Sequence, residues 1–422
     1  MSERSMRNLD WLVLISALML MAAGLLNLYS VGHVPEDMRE VVGEGGQRFF
    51  ERQLVWSLLG LGVMALAFFI PFRYFEGGAV LIYAVILVLL LVVLLIEPAK
   101  GSSRWIVIGG FRFQPSEMMK VALIFFLARF LAEKRHDPNR VRVTAVAIGA
   151  TVIPFLLIMK QPDLGTALIL PAILLTMLYW RGLDEGVMIL LLSPVVSAFL
   201  TIYSQSAVRR GDYPLALLVF FIVVLYTAYR RRKRLLQSIM LVAANLSVMI
   251  LVPNLISRLK PYQQQRILAF LRPESDILGS GWQVYQSKVA IGSGGFAGKG
   301  FLGGTQKLLA FLPERHSDFV FSVLSEEAGY LGAAGVLILY GVIIVRGLYL
   351  ATKVKSRFAS LALTGICSYF LFHVAINIGM TIGLAPVTGL PLPFLSYGGS
   401  SMLVTCFLTG VMLNFGASFY EY

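Results

Sequence analysis

Charged residues are scarce in this chain, and that scarcity excludes a large soluble domain. Asp, Glu, Lys and Arg make up 14% of the 422 residues, whereas 57% are hydrophobic; a soluble domain has about a quarter charged residues. The mean hydropathy is +0.77. A chain of this length has room for about a dozen spans of about 20 residues each. The composition predicts an all-α, polytopic integral membrane protein.

Cysteine and clustered histidine are also scarce, which argues against a disulfide framework and a structural metal site. The two cysteines, Cys367 and Cys406, both fall in apolar runs, so we expect two small buried side chains rather than a bridge. His316 has no second His or Cys near it in the sequence to build a metal site. The net charge of +13 gathers in short loops between apolar runs, which indicates membrane topology rather than nucleic-acid binding.

Twelve apolar runs predict twelve transmembrane helices. We place them near residues 10–31, 53–71, 77–97, 116–133, 142–160, 163–180, 186–204, 213–230, 235–257, 319–346, 359–383 and 397–418. The first run is too long for a signal-peptide core and is expected to remain as a span. Lys and Arg are more numerous in the loops on the side of the N-terminus, which predicts cytoplasmic termini and an extracytoplasmic loop 258–318.

The polar, glycine-rich stretch at 261–319 is the longest of its kind in the chain. It contains Asp276 between prolyl and glycyl turn residues, together with several Lys and Arg. These are the groups that an anionic substrate at a membrane surface would need, although Asp276 alone is also ordinary turn chemistry. Its GSGGFAGKG segment (292–300) lacks the Walker A spacing. We expect its glycines to allow tight turns and close backbone approach to a partner or ligand.

Ionisable residues inside the spans are functional candidates, because a charge in hydrocarbon is costly. Glu117 and Lys120 are three residues apart, which places them on one helix face, either as functional groups or as a local ion pair. Asp163 follows a Gln-Pro pair and is expected to cap the next helix. Glu326 and Glu327 precede a long apolar run. At least one of the two must be solvated or paired.

Seven segments, in this order, resemble the SEDS family (shape, elongation, division and sporulation), and within it the branch that acts in cell elongation. They are SSRWIVIGGFRFQPSEMMK (102–120), QPDLGTAL (161–168), RPESDILGSGWQVYQSKVAIGSGGFAGKG (272–300), GTQ (304–306), FLPERHSDFVFSVLSEEAG (311–329), NIGM (377–380) and PLPFLSYGGSS (391–401). Family members typically have ten spans. We therefore expect one SEDS-type membrane domain over 1–422, with an extra transmembrane hairpin at 184–234 and a large extracytoplasmic loop at 258–318.

The resemblance implies a peptidoglycan glycosyltransferase of the bacterial cytoplasmic membrane that polymerises lipid II during cell elongation. It further implies a class B penicillin-binding protein as partner, alongside other elongation-complex membrane proteins and membrane lipid. Asp276 matches the family's essential aspartate and is the expected catalytic residue. The expected substrate-binding residues are Arg52, Arg104, Trp105, Glu117, Lys120, Gln161, Asp163, Gln286, Ser287, Lys299, His316 and Asp318.

The expected reaction joins a sugar hydroxyl to an anomeric carbon with loss of a lipid pyrophosphate. A hydroxyl is a poor nucleophile at neutral pH, so Asp276 is expected to act as general base. Lys120, Arg104 and Arg52 are expected to stabilise the leaving group. No cofactor is certain, and a divalent cation such as Mg²⁺ remains an open alternative. Two other functions remain open, a lipid II flippase and a non-catalytic scaffold of the elongation machinery.

Overall fold

The computed structural model describes residues 9–33, 46–95, 105–108, 111–208, 215–230, 235–257, 264, 280–305 and 315–417. Within these ranges the helices are α1 (Trp11–Gly32), α2 (Gly46–Phe69), α3 (Phe72–Leu95), α4 (Pro115–Ala132), α5 (Val141–Lys160), α6 (Leu164–Trp180), α7 (Glu185–Val208), α8 (Leu215–Arg230), α9 (Leu235–Ser257), α10 (Ser280–Ser293), α11 (Val320–Lys353), α12 (Arg357–Thr381) and α13 (Gly399–Ala417). Each of the twelve predicted spans corresponds to one of these helices, which confirms the all-α class.

Two elements in the connecting segments were not predicted. Strands β1 (Ile106–Ile108) and β2 (Phe111–Phe113) form an antiparallel hairpin before α4, with Val107 opposite Arg112. Helix α10 lies inside the segment that we expected to be a loop. The two strands have three residues each and α10 has 14, so both elements are too short for hydropathy to reveal them.

Nine helices in the described ranges are long and apolar enough to cross a membrane. Helices α6 and α8 are apolar but shorter. Helix α4 has 18 residues and carries Glu117, Lys120 and Arg129, so a hydropathy criterion passes over it. Glu117 and Lys120 are buried among neighbouring helices, so these two charges face protein rather than lipid. Arg129 is only partly buried in the last turn, and its guanidinium donates to the carbonyls of Glu76 and Gly77.

The chain divides into two compact units. The first comprises residues 1–181 and 283–422, and the second comprises residues 182–282. In the first unit, α12 packs against α4, α6 and α11, while α13 packs against α2. Cys367 and Cys406, on α12 and α13, are buried and free of any disulfide, as predicted. Helices α12 and α13 therefore form the core of this unit.

In the second unit, α7 packs on α9 through polar side chains. Asn245 Nδ2 donates to Ser193 Oγ at 2.8 Å, and Ser197 and Thr201 are buried on the same helix as Ser193. Helix α8 packs against both α7 and α9. Small hydroxyl residues let two helix backbones approach closely inside a membrane, where apolar side chains supply no selective attraction.

Helix α11 is kinked at Gly329, whose φ is +64°. The segment 294–300 fills the kink: Lys299 N–H and Gly300 N–H donate to the carbonyls of Glu326 and Glu327, both at 3.0 Å. A Cβ on Gly298 would lie 2.1 Å from the Glu327 carbonyl oxygen. These glycines do allow a close backbone approach, but what they approach is the chain's own helix α11, whereas we expected a partner or ligand. Irregular backbone at membrane depth requires such internal hydrogen bonds.

Candidate active site

Several of the predicted site residues lie at one end of the first unit, where α4, α6 and α11 begin and α12 ends. Gln114 Nε2 donates to Asp163 Oδ2 at 2.9 Å, which joins the start of α4 to the start of α6. Asn377 Nδ2 donates to the carbonyl of Asp318 at 3.1 Å, which joins the end of α12 to the start of α11. These two hydrogen bonds bring together positions that are far apart in sequence.

Glu117 and Lys120 form a buried ion pair at this end. Lys120 Nζ lies 2.8 Å from Glu117 Oε1, and the two side chains are 0% and 3% exposed. The prediction that they share one helix face is confirmed. Glu117 lies in the first turn of α4, where the helix dipole favours a carboxylate. Its second oxygen, Oε2, is buried and has no hydrogen-bond partner among the described residues.

His373 completes this pair and was not predicted. Its Nε2 lies 3.0 Å from Lys120 Nζ, and its Nδ1 lies 3.1 Å from the carbonyl oxygen of Pro391. A carbonyl oxygen can only accept, so Nδ1 carries the proton and Nε2 accepts from the Lys120 ammonium. The Tyr369 ring lies under the same ammonium, with Nζ 5.3 Å from its centroid. The sequence offered one signal for His373, which is a titratable side chain inside a predicted span.

The segment between α12 and α13 that contains Pro391 is held on both sides. Asn377 Nδ2 donates to the Leu390 carbonyl at 2.8 Å. Ser396 Oγ donates to the Ser317 carbonyl at 2.5 Å and accepts from the Leu392 N–H at 2.8 Å. The acceptor for His373 is therefore part of a fixed backbone rather than a free loop.

Asp163 caps α6, as predicted. Its Oδ1 accepts from the Thr166 N–H at 3.3 Å, and its Oδ2 accepts from Gln114 and, at 3.4 Å, from Ser116 Oγ. Gln161, which directly follows the last residue of α5, is buried, and its Nε2 donates to the Leu90 carbonyl at 3.3 Å. Both residues thus have structural roles in this conformation, fixing the α5–α6 turn beside the start of α4.

Lys299 forms an ion pair with Glu326. Its Nζ lies 2.6 Å from Glu326 Oε1, which also accepts from the N–H and hydroxyl of Thr305 at 2.8 and 2.9 Å. Glu327 Oε1 accepts from Ser30 Oγ at 2.5 Å. The prediction that at least one of these two glutamates must be paired is confirmed, and both are.

The remaining predicted residues take varied positions. Ser287 is buried and its Oγ lies 2.6 Å from both Ser322 Oγ and the Thr381 carbonyl oxygen. The His316 ring stacks on Phe49 with centroids 4.1 Å apart. Gln286 is buried and Trp105 is 42% exposed. Arg52 is exposed on α2. Asp276 and Arg104 lie outside the described residues, so their predicted roles remain predictions.

Arg315, a partly buried cation, lies just before the start of α11. Burial lowers the pKa of the Arg315 guanidinium from its ordinary value, yet arginine remains protonated at neutral pH. Within the described ranges no group of three or more His, Cys, Asp or Glu side chains could hold a metal ion. A divalent cation such as Mg²⁺ therefore stays a prediction.

These observations define a class: a multi-pass helical membrane protein with buried, paired acid and base groups at one end of its helices. A family profile described as "Cell cycle protein", which covers FtsW, RodA and SpoVE proteins, matches residues 10–212 and 208–420. The chain belongs to this family, the SEDS family that its motifs indicated.

Curated relatives and a solved structure agree with the family. The chain is 34% identical over 440 residues to the peptidoglycan glycosyltransferase RodA of Treponema pallidum (strain Nichols), covering 99% of each chain. It is 35% identical over 368 residues to the peptidoglycan glycosyltransferase MrdB of Escherichia coli (strain K12), covering 86% and 84%. A solved structure described as showing coordination of polymerization and crosslinking by a peptidoglycan synthase complex matches with a TM-score of 0.70 and 30% identity, over 98% of this chain and 99% of that one.

Proposed function

We propose that this protein is a peptidoglycan glycosyltransferase that polymerises lipid II into glycan strands during cell elongation. Its relatives over nearly the whole chain carry that activity in their names. The structural observation that carries the proposal is the buried Glu117–Lys120 pair at the end of the bundle where the family motifs converge. Such paired charges in a span are costly to keep without a function.

The reaction is a single displacement at the anomeric carbon of the donor. The 4-hydroxyl oxygen of the acceptor forms a bond to that carbon, and the bond from carbon to pyrophosphate oxygen breaks with its electron pair. The hydroxyl proton passes to the carboxylate of Asp276 acting as general base, which contributes about 10²–10⁴-fold in rate. The configuration at the anomeric carbon inverts, because one bond forms as the other breaks on the opposite side.

The leaving pyrophosphate needs positive charge rather than a proton. Arg52 is exposed on α2 and Arg315 lies partly buried before α11, so both are suited to this task, together with Arg104. Lys120 has no exposed surface and two of its N–H groups are occupied. Its action on the pyrophosphate would require a rearrangement, which favours the arginines for that role.

The proposed setting is the bacterial cytoplasmic membrane, with both termini in the cytoplasm and a class B penicillin-binding protein as partner. The charge distribution of the loops supports the orientation. The solved relative that is described as part of a complex for polymerization and crosslinking supports a crosslinking partner.

The test is a reaction of the purified protein with labelled lipid II, with and without the partner, and a gel of the glycan products. Glycan strands should form without ATP, and more of them with the partner. A parallel assay with lipid II in one leaflet of liposomes measures its movement to the other leaflet. Translocation without polymerisation would replace this proposal with the flippase, and the absence of both activities would favour the scaffold.

A further inference from the structure

We propose that His373 is a positioning residue for this reaction: it holds Lys120, Lys120 holds Glu117, and Glu117 Oε2 accepts a hydrogen bond from a hydroxyl or amide N–H of the substrate. This inference rests on the proposed function. It assigns Lys120 a role inside the protein instead of at the leaving group, and it adds a residue on α12 to a pair that lies on α4.

The first step is the burial of Lys120. Its side chain is fully buried, and its ammonium donates to Glu117 Oε1 at 2.8 Å and to His373 Nε2 at 3.0 Å. An ammonium has three donors, and two of them are directed at protein acceptors, while the ammonium lies over the Tyr369 ring, 5.3 Å from its centroid. A lysine with these neighbours is placed to orient its carboxylate partner.

The second step is the tautomer of His373. Because the Pro391 carbonyl can only accept, Nδ1 holds the proton and the lone pair of Nε2 faces Lys120. The carbonyl is itself fixed, since Asn377 binds the neighbouring Leu390 carbonyl. The Tyr369 ring packs on the imidazole with centroids 4.3 Å apart. The His373 imidazole therefore cannot point an N–H toward Lys120 without losing its hydrogen bond to the Pro391 carbonyl.

The buried Glu117–Lys120 pair carries no net charge. A glutamate and a lysine neutralise each other in a buried site, and removal of either partner would leave an uncompensated charge. A neutral imidazole takes a second Lys120 N–H without adding charge. It therefore completes the hydrogen bonds of the ammonium in a way that a second carboxylate, which would unbalance the site, could not.

The last step concerns Glu117 Oε2. A buried carboxylate oxygen without a donor is costly, and no described residue supplies one. Glu117 lies at the first turn of α4, at the end of the unit where several of the other site residues lie. The substrate of the proposed reaction is rich in hydroxyl and amide donors, and we assign one of them to this oxygen, which is itself buried and meets the donor only after a rearrangement of the kind that Lys120 would also need.

The test compares His373→Leu with His373→Gln in the purified complex acting on labelled lipid II. Leucine removes both hydrogen bonds, whereas a glutamine amide can donate to Pro391 and accept from Lys120. We expect His373→Leu to lower kcat at least about tenfold with KM changed less than about twofold, and His373→Gln to stay within about threefold of the wild type. Cys367→Ala, also buried on α12, is the matched control and should retain activity.

Equal losses in the Leu and Gln variants, or a loss confined to KM, would overturn the proposal. A second measurement separates this proposal from the proposed function. In a double-mutant cycle of His373→Leu and Lys120→Met, followed by thermal unfolding of the purified chain, we expect the two changes to be non-additive. Additive effects in a protein that polymerises lipid II would overturn the positioning role alone. Non-additive effects in a protein without polymerase activity would overturn the proposed function and leave the arrangement intact.

Discussion

Lys299 Nζ lies 2.6 Å from Glu326 Oε1, and this ion pair joins the glycine-rich segment to the beginning of α11. Glu326 is fully buried, whereas Lys299 is 27% exposed. The Lys299 ammonium therefore neutralises the charge of the Glu326 carboxylate, which is buried away from water. Thr305 binds the same carboxylate oxygen, so two residues of one short stretch, Lys299 and Thr305, depend on one glutamate.

Replacing Lys299 should destabilise the protein through that glutamate. In Lys299→Met the carboxylate of Glu326 loses the counter-charge of Lys299 and keeps the Thr305 donors. We expect a loss of about 3 kcal/mol, at the lower end for a broken buried pair, measured as a lower midpoint of thermal unfolding in detergent. Lys355→Met, at an exposed lysine, should change the midpoint little. An unchanged midpoint for Lys299→Met would show that Glu326 is neutral or solvated.

The kink of α11 should tolerate no side chain at Gly329. Its φ of +64° disfavours any other residue, and a Cβ would lie 2.3 Å from the Gly298 nitrogen. We expect Gly329→Ala to lower stability by more than about 2 kcal/mol and to reduce the yield of folded protein on a sizing column. Gly335→Ala is the control in the same helix, where a Cβ meets nothing within 4 Å. It should be neutral or stabilising, by about 0.5–1 kcal/mol.

Asp276→Asn should abolish polymerisation while leaving the complex folded. Asparagine keeps the shape and turn hydrogen bonds of aspartate but cannot accept the proton, so we expect the initial rate to fall at least about 10²-fold. Asp276→Glu should retain part of the activity. The same exchange at Asp137, an exposed turn residue between α4 and α5, is the control. Near wild-type polymerisation by Asp276→Asn would make Asp276 a turn residue and move the search for the base to Glu117 or Asp318.

The orientation in the membrane can be read by chemical labelling. In a variant lacking Cys367 and Cys406, a cysteine at Ser280, at the start of α10, should react with an impermeant maleimide in intact spheroplasts. A cysteine at Lys355, between α11 and α12, should react only after lysis. The reverse pattern would place the site on the cytoplasmic side and exclude a reaction with externally presented substrate.

Hydropathy and residue spacing predicted the twelve spans, the Glu117–Lys120 face and the Asp163 cap, because each depends on neighbours close in sequence. His373 was not predicted, since its partner Lys120 on α4 is 253 residues away and no neighbouring residue in the sequence indicates this contact. The kink at Gly329 was missed for a related reason: a glycine in an apolar run shows its role only when the segment that fills the bend is known. Helix α10 was hidden in a stretch whose glycines suggested a loop.

The way segment 294–300 is bound to α11 has a consequence for amide exchange. Backbone N–H groups of glycine-rich, non-helical segments ordinarily exchange rapidly with solvent deuterium. Here the N–H groups of Lys299 and Gly300 donate into α11, and those of Tyr330 and Leu331 donate back to the carbonyls of Gly295 and Phe296 at 2.9 and 3.2 Å. These four amides exchange only when the helix and the segment separate. The segment should therefore be protected to the same degree as the first turns of α11, and the two should lose that protection together.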